Sequence, residues 1–260
     1  MRISGKKSVG ADLQALLSKP MFTSNDDDAD LEYLSTQPNA NPIYENIVYG
    51  AREEWKVSDV MVNTLVDLAD PRLEVYVALN DEDEYRGKPV GIANVPNEEY
   101  NYNNVSGLGE FYLESTREAF LMSYSELEFL MAEAAERGLI TGGGSAADHY
   151  NAGIVASMEY NGVEEYEGYL ASVEYESADW EELIGTQKWL ALYGQGLEAW
   201  TEWRRTKIPV LSLAVDAYNT TMPSRLSYPA TEQTTNRVNY QANVAAQGAD
   251  IYYTKIWWME

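Results

Sequence analysis

Apolar residues in the second half of the chain recur every three to four positions, which is the period of an amphipathic helix. The clearest helix opens with Ser123 and Glu126 as a capping box and stops at Gly138. Its apolar stripe comprises Leu127, Leu130, Met131 and Ala134. Similar patterns predict helices that begin at residues 58, 145 and 177, and shorter helices over residues 11–17, 164–171, 197–205 and 240–246. The pattern therefore predicts a mainly α-helical fold built from antiparallel helix pairs.

The first half of the chain is less regular. Residues 1–48 have little periodicity apart from one short helix, and residues 73–79 alternate loosely, which predicts a strand. Residues 80–118 form a long polar stretch rich in Asn, Gly, Glu and Tyr. A loop of this length inside a compact domain is unusual and often carries function. We therefore expect long irregular loops, little strand, and a binding surface in this segment.

The charge balance is strongly acidic. The chain carries 42 acidic and 18 basic residues, for a net charge of −24, so it repels phosphate backbones and is not expected to bind nucleic acid. Residues 164–182 hold eight acidic and no basic side chains, which indicates a solvated helix face or a docking surface for a basic partner. There is no cysteine, which excludes disulfides and thiolate chemistry. Tyr and Trp, at 20 and 7, far outnumber the 4 Phe.

A metal site is suggested by one spacing but fails at its later positions. Asp26, Asp28 and Asp30 are spaced like the first ligands of an EF-hand loop. Leu31 then stands where the loop needs Gly, and Gln37 where it needs Glu. We therefore predict no metal site, with a looser calcium site as the alternative.

Catalytic motifs are equally weak. His149 is the single histidine, and a structural role is expected for it. Glu126 and Glu128 stand two residues apart, so they do not share a helix face as a glycosidase pair would require. The glycines from residue 142 fit a dinucleotide fingerprint, but a predicted helix precedes them where a strand is needed. We predict no catalytic residue, no cofactor and no enzyme activity.

Three segments together resemble one family of binding proteins. They are LMSYSELEFLMAEA at residues 121–134, TQKWLALYGQGLEAWTEWRRT at residues 186–206, and RLSYP at residues 225–229, followed by Glu232, Asn236, Asn239 and Tyr240. FTSNDD at residues 22–27 adds an earlier match. In order and spacing they resemble the carboxy-terminal half of the SusD/RagB family of nutrient-binding outer-membrane lipoproteins. In these segments Trp189, Trp200 and Trp203 have core spacing, and Arg204 and Arg205 are expected to pair with acidic helix faces.

The resemblance implies a helical fold and a function. Members bind glycans or other oligomeric nutrients, without catalysis, at the cell surface, and deliver them to a SusC-like TonB-dependent transporter in the outer membrane. Members are longer and begin with a signal peptide and a lipidated cysteine, so we expect residues 1–260 to be the carboxy-terminal region of a longer chain. The alternatives are a helical scaffold that binds proteins or peptides and a glycan-cleaving enzyme.

The ligand site is expected in the long loop, because the matched motifs have mainly structural residue types. Tyrosine rings can stack on sugar rings, and asparagine amides donate to and accept from hydroxyl groups. The alternative is a loop that is merely rich in turn-forming residues. The predicted ligand-binding residues are Asn94, Asn97, Tyr100, Asn101, Tyr102, Asn103, Phe111 and Tyr112.

Overall fold

The computed structural model describes residues 1–95 and 98–259, and most of its regular structure is helical. The helices are α1 (Gly10–Leu16), α2 (Pro42–Tyr44), α3 (Asp59–Asp67), α4 (Leu73–Tyr76), α5 (Tyr124–Glu136), α6 (Ala146–Tyr160), α7 (Glu167–Ser172), α8 (Trp180–Ala191), α9 (Gly196–Thr206), α10 (Ala230–Thr235) and α11 (Arg237–Gln247). The strands β1 (Ala29–Leu31) and β2 (Ala119–Met122) pair antiparallel. The prediction of a mainly α fold with little strand is confirmed.

Serine caps begin three of the predicted helices. The hydroxyl oxygens of Ser58, Ser123 and Ser145 accept hydrogen bonds from backbone N–H groups in the first turns of α3, α5 and α6. At Ser145 the carboxylate of Asp148 accepts in return from the backbone N–H of Ser145, which completes a capping box. At Ser123 the structure contains half of the box, because the buried carboxylate of Glu126 lies 3.9 Å from Nζ of Lys188 instead. The capping-box prediction at Ser123 therefore needs this correction.

The strand predicted over residues 73–79 is wrong. This stretch begins as α4, in which the backbone N–H of Tyr76 donates to the carbonyl of Arg72 at 2.8 Å. The side chains of Tyr76 and Val77 are both buried. Neighbouring residues of a strand point to opposite faces, so two buried neighbours are better accommodated where the helix ends against the core.

Two clusters of buried side chains hold the helices together. The first lies among α3, α4 and α8 and includes Met61, Val62, Leu65, Tyr76 and Leu190. The second lies among α5, α6, α7 and α8 and includes Phe129, Tyr150, Ile154, Met158, Tyr169 and Ile184. Gly153 lets α5 and α6 approach closely, since a Cβ atom there would lie 3.0 Å from the ring of Phe129. Because α8 contributes to both clusters, it is the helix that connects the two parts of the core.

A network of buried charges ties α9 to α5 and α8. Arg205 pairs with Glu133 of α5 and with Glu202, whose carboxylate also lies 3.3 Å from Nζ of Lys188. Burial opposes ionisation of Glu202, but Lys188 and Arg205 outweigh it and lower the pKa of Glu202 to about 2. The predicted pairing with acidic side chains therefore holds for Arg205. Arg204 instead lies over the ring of Trp200, 4.0 Å from its centroid.

The tryptophans with core spacing are buried to different degrees. Trp203 is 7% exposed, and its indole N–H donates to the carbonyl oxygen of Pro209 at 3.0 Å. Trp189 is half-buried against the first cluster, and Trp200 is half-buried beneath Arg204. Core packing is thus complete at Trp203 and partial at the other two. Within residues 1–95 and 98–259, no helix has the length and apolar character needed to cross a membrane.

Candidate functional site

Backbone pairing holds the long loop against the start of α3. The N–H of Val57 donates to the carbonyl of Ser106 at 3.1 Å, and the N–H of Lys88 donates to the carbonyl of Val57 at 2.8 Å. Two further backbone hydrogen bonds extend this pairing. The N–H of Ser106 donates to the carbonyl of Arg86 at 2.8 Å, and the N–H of Asp59 donates to the carbonyl of Lys88 at 3.2 Å. Three segments distant in sequence therefore lie side by side and fix the base of the loop.

Asparagine side chains shape the tip of the loop. The amide of Asn101 donates to the carbonyl of Glu98 at 2.8 Å, and its oxygen accepts from the N–H of Asn103 at 2.9 Å. The side-chain oxygen of Asn94 accepts from the N–H of Tyr102 at 2.9 Å. Part of the asparagine content thus serves the turn itself, as the alternative interpretation expected. The exposed side chain of Asn103 has no hydrogen-bond partner among the residues that the structure describes.

Two lysines lie beside the tyrosines of this tip. Nζ of Lys56 and Nζ of Lys88 are 5.9 Å and 5.7 Å from the ring centroid of Tyr102. Nζ of Lys88 also donates to the carbonyl oxygen of Tyr100 at 2.5 Å. Partial burial lowers the pKa of both lysines from their ordinary value. We call Tyr100, Tyr102, Lys56 and Lys88 the tyrosine patch. It combines half-exposed rings with ammonium donors, which are groups that can contact hydroxylated ligands.

Phe111 and Tyr112 lie apart from this patch, in a 3₁₀ turn over Glu110–Leu113. Tyr112 is 7% exposed, and its hydroxyl donates to Oδ1 of Asn161 at 2.7 Å. Its ring packs edge-on against Tyr193 at 4.8 Å. Phe111 is half-buried, with the guanidinium of a neighbouring arginine 3.5 Å from its ring centroid. Tyr112 is therefore packed in the core and is not part of the tyrosine patch, and its assignment as a ligand-binding residue stays a prediction.

The remaining predicted residues divide as follows. The structure brings Asn94, Tyr100, Asn101, Tyr102 and Asn103 together at one loop tip. Asn97 lies outside the described residues. Sequence reasoning missed the two lysines of the tyrosine patch, which reach it through backbone pairing that no local pattern reveals. It also missed Trp55, which precedes one of these lysines and is 45% exposed.

The candidate metal and catalytic residues have structural partners. Asp28, one of the three candidate metal ligands, accepts a hydrogen bond from the backbone N–H of Tyr124. Among the described residues, no group of three or more acidic or histidine side chains is arranged to hold a metal ion. Nδ1 of His149 lies 2.6 Å from Oε2 of Glu128, which raises the pKa of His149. His149 and Glu128 thus form a buried pair between α5 and α6.

Comparison with known proteins identifies the family. Residues 1–229 match the family SusD-like_2, described as starch-binding and associating with the outer membrane. The chain belongs to this SusD-like family. No protein with a curated description matches the chain.

Solved structures of SusD homologues share the fold. A chitin-binding SusD homologue from Flavobacterium johnsoniae is 25% identical with a TM-score of 0.87, and the match covers 100% of this chain and 60% of that protein. A homologue from Bacteroides thetaiotaomicron is 26% identical with a TM-score of 0.83, covering 99% and 62%. A third, from Bacteroides vulgatus, is 24% identical with a TM-score of 0.85, covering 99% and 59%. The chain therefore spans about three fifths of the length of these SusD-like relatives.

Proposed function

We propose that this SusD-like chain binds a glycan without chemical change and does so through the tyrosine patch. In this proposal the chain works at the outer-membrane surface and delivers the glycan to a SusC-like TonB-dependent transporter. The family description and the chitin-binding relative support a carbohydrate ligand. The observation that carries the location is the ring of Tyr102 flanked by Lys56 and Lys88 at an exposed loop tip.

The contacts available at the patch suit a sugar chain. The rings of Tyr100 and Tyr102 offer apolar faces to the C–H groups of a sugar ring. The ammonium groups of Lys56 and Lys88 are donors for its hydroxyl oxygens, and the exposed amide of Asn103 can both donate and accept. Several such contacts along one loop fit an extended oligomer better than a compact small molecule.

Binding without hydrolysis is the better interpretation of the nearby acids. A glycosidase needs two carboxyl groups that face the same bond, one of which is kept protonated by an apolar setting. The acids closest in sequence to the patch tyrosines, Glu98 and Glu99, are both exposed to solvent. Incubation with chitin and starch oligosaccharides should leave them intact, and release of shorter products would contradict this part of the proposal.

The test of the site is the substitution Tyr102→Ala, measured by calorimetric titration with chitin and starch oligosaccharides. An exposed ring contributes about 1–3 kcal/mol when it stacks on a planar or cationic ligand group, and we assume a similar value for a sugar. The dissociation constant should therefore rise about 5- to 150-fold. Tyr218→Ala is the matched control, because Tyr218 is 99% exposed in a different loop. Equal affinities for the two variants would contradict the assignment of the patch.

A further inference from the structure

A separate cavity of about 210 Å³ opens between β2, the start of α2 and the turn that joins α8 to α9. The lining residues that matter here are Tyr33, Arg117, Glu118, Phe120, Tyr160 and Gln195. None of the tyrosine-patch residues lines it. Whatever this cavity binds is therefore bound by a different set of side chains.

Aromatic rings form one wall of the cavity and are held rigidly. The ring of Tyr160 packs at 4.8 Å from that of Phe120 and at 5.6 Å from that of Phe111, in both cases edge to face. Burial, together with the nearby carboxylate of Glu118, raises the pKa of Tyr160, so its hydroxyl stays neutral. Rings that are already fixed lose little conformational freedom when a ligand arrives, which favours binding.

The polar groups of the cavity are also positioned in advance. The guanidinium of Arg117 lies 3.5 Å from the ring centroid of Phe111, and its Nε donates to the carbonyl oxygen of the same residue at 3.0 Å. Nη1 of Arg117 lies 3.8 Å from the carboxylate of Glu118. A cation and a carboxylate side by side present donors and acceptors together, which matches neighbouring hydroxyl groups.

Gln195 completes the polar set and has hydrogen-bonding capacity to spare. It follows Gly194, whose positive φ of 83° turns the chain between α8 and α9. The side chain of Gln195 is half-buried, and its amide has no hydrogen-bond partner within residues 1–95 and 98–259. A half-exposed amide can hydrogen-bond to water, and a ligand group can replace that water. A ligand in the cavity would provide the partner.

The size and charge of the cavity narrow the ligand class. Its volume of about 210 Å³ lies below the ~300–1,000 Å³ of pockets that enclose drug-sized ligands, which favours one sugar ring over a chain. Among the residues that line the cavity, the carboxylate of Glu118 balances the charge of Arg117, so the cavity favours neither an anionic nor a cationic ligand. We propose that this aromatic cavity is a second carbohydrate site, which takes one uncharged sugar ring.

The proposal can be tested by protein-observed NMR on a sample labelled at Ile and Val methyl groups. Ile43 lines the cavity and reports on it. Val95 reports on the tyrosine patch, because it follows Asn94, whose side-chain oxygen accepts a hydrogen bond from the N–H of Tyr102. Titration with glucose and with N-acetylglucosamine should shift the Ile43 resonance in the wild type. Gln195→Ala should weaken that response by about 2- to 12-fold, the range expected for one net hydrogen bond.

Two controls separate this site from the tyrosine patch. Gln233→Ala removes an exposed glutamine of α10 and should leave the Ile43 titration unchanged, as should Tyr102→Ala. Shifts at Val95 without shifts at Ile43 would overturn the second site and leave the proposed function intact. An Ile43 titration that Gln195→Ala does not weaken would also overturn it. Absence of any response to either sugar, or to their oligomers, at either methyl group would overturn both proposals.

Discussion

The ion pair between Asp70 and Arg72 should be the most sensitive polar contact in the core. Both side chains are 0% exposed. The guanidinium of Arg72 donates to both carboxylate oxygens of Asp70, at 3.0 and 2.6 Å, and also to Ser157 of α6 at 3.0 Å and Gln187 of α8 at 2.8 Å. One side chain therefore joins the segment between α3 and α4 to two other helices.

Replacing Arg72 with methionine keeps much of the volume but leaves the Asp70 carboxylate buried without its counter-ion. Loss of one member of a buried, hydrogen-bonded pair costs about 3–5 kcal/mol, since the remaining charge keeps its desolvation penalty. The free energy of unfolding of a typical protein is about 5–15 kcal/mol, so this loss is a large share of the stability. A second change, Asp70→Asn in the Arg72→Met background, removes the stranded charge and should restore part of the loss.

Urea denaturation followed by tryptophan fluorescence and by circular dichroism measures this effect. Arg137→Met is the matched control, because Arg137 is 26% exposed and its partner Glu133 keeps a second cation in Arg205. The control should cost less than about 1 kcal/mol. A cost for Arg72→Met no larger than that of the control, or no recovery in the double variant, would refute the reasoning.

Two other changes test the buried side chain of Trp203 and the carboxyl group of Asp28. Trp203→Ala should cost about 3–5 kcal/mol in the same urea assay, since a buried indole and its bond to Pro209 are lost. Burial, with Asp30 nearby, raises the pKa of Asp28 from 3.8 to about 6, so its contribution to stability is present below pH 4 and is lost as the pH rises through 6. The control is Asp28→Asn, which keeps the acceptor for the N–H of Tyr124. Relative to this variant, the free energy of unfolding of the wild type should fall by about 1 kcal/mol between pH 4 and 7. The pKa shift alone corresponds to ~3 kcal/mol, but solvent screening reduces this value because the carboxyl group is half-exposed. A wild type that gains stability relative to Asp28→Asn as the pH rises would contradict this sign.

Much of the helical framework could be predicted because its signals are local. Ser58 and Ser145 cap α3 and α6 within one turn of their own position. Gly138, predicted as the stop of α5, follows its last helical residues with a positive φ of 62°. These residues act on backbone groups three or four positions away, so a short window of sequence contains the whole cause.

The features that could not be predicted depend on distant partners. The β1–β2 pairing places Leu31 opposite Ala119, and strands of three and four residues leave almost no alternation to detect. In the stretch 73–79 the alternation was present but was overridden by packing against helices far along the chain. The second carbohydrate site proposed above is of the same kind, because Gln195 and Phe120 meet only in the folded chain.

The tyrosines of the long loop show why composition alone located the candidate site only in part. Tyr102 and Tyr112 lie ten positions apart in a segment with little periodicity, so nothing local distinguishes them. A buried tyrosine must find a partner for its hydroxyl, and Asn161 at the end of α6 provides that partner for Tyr112. The ring of Tyr102 stays half-exposed because its neighbours are Lys56 and Lys88, whose charges favour contact with solvent. Residues far away in sequence therefore decide which tyrosine packs the core and which remains available to a ligand.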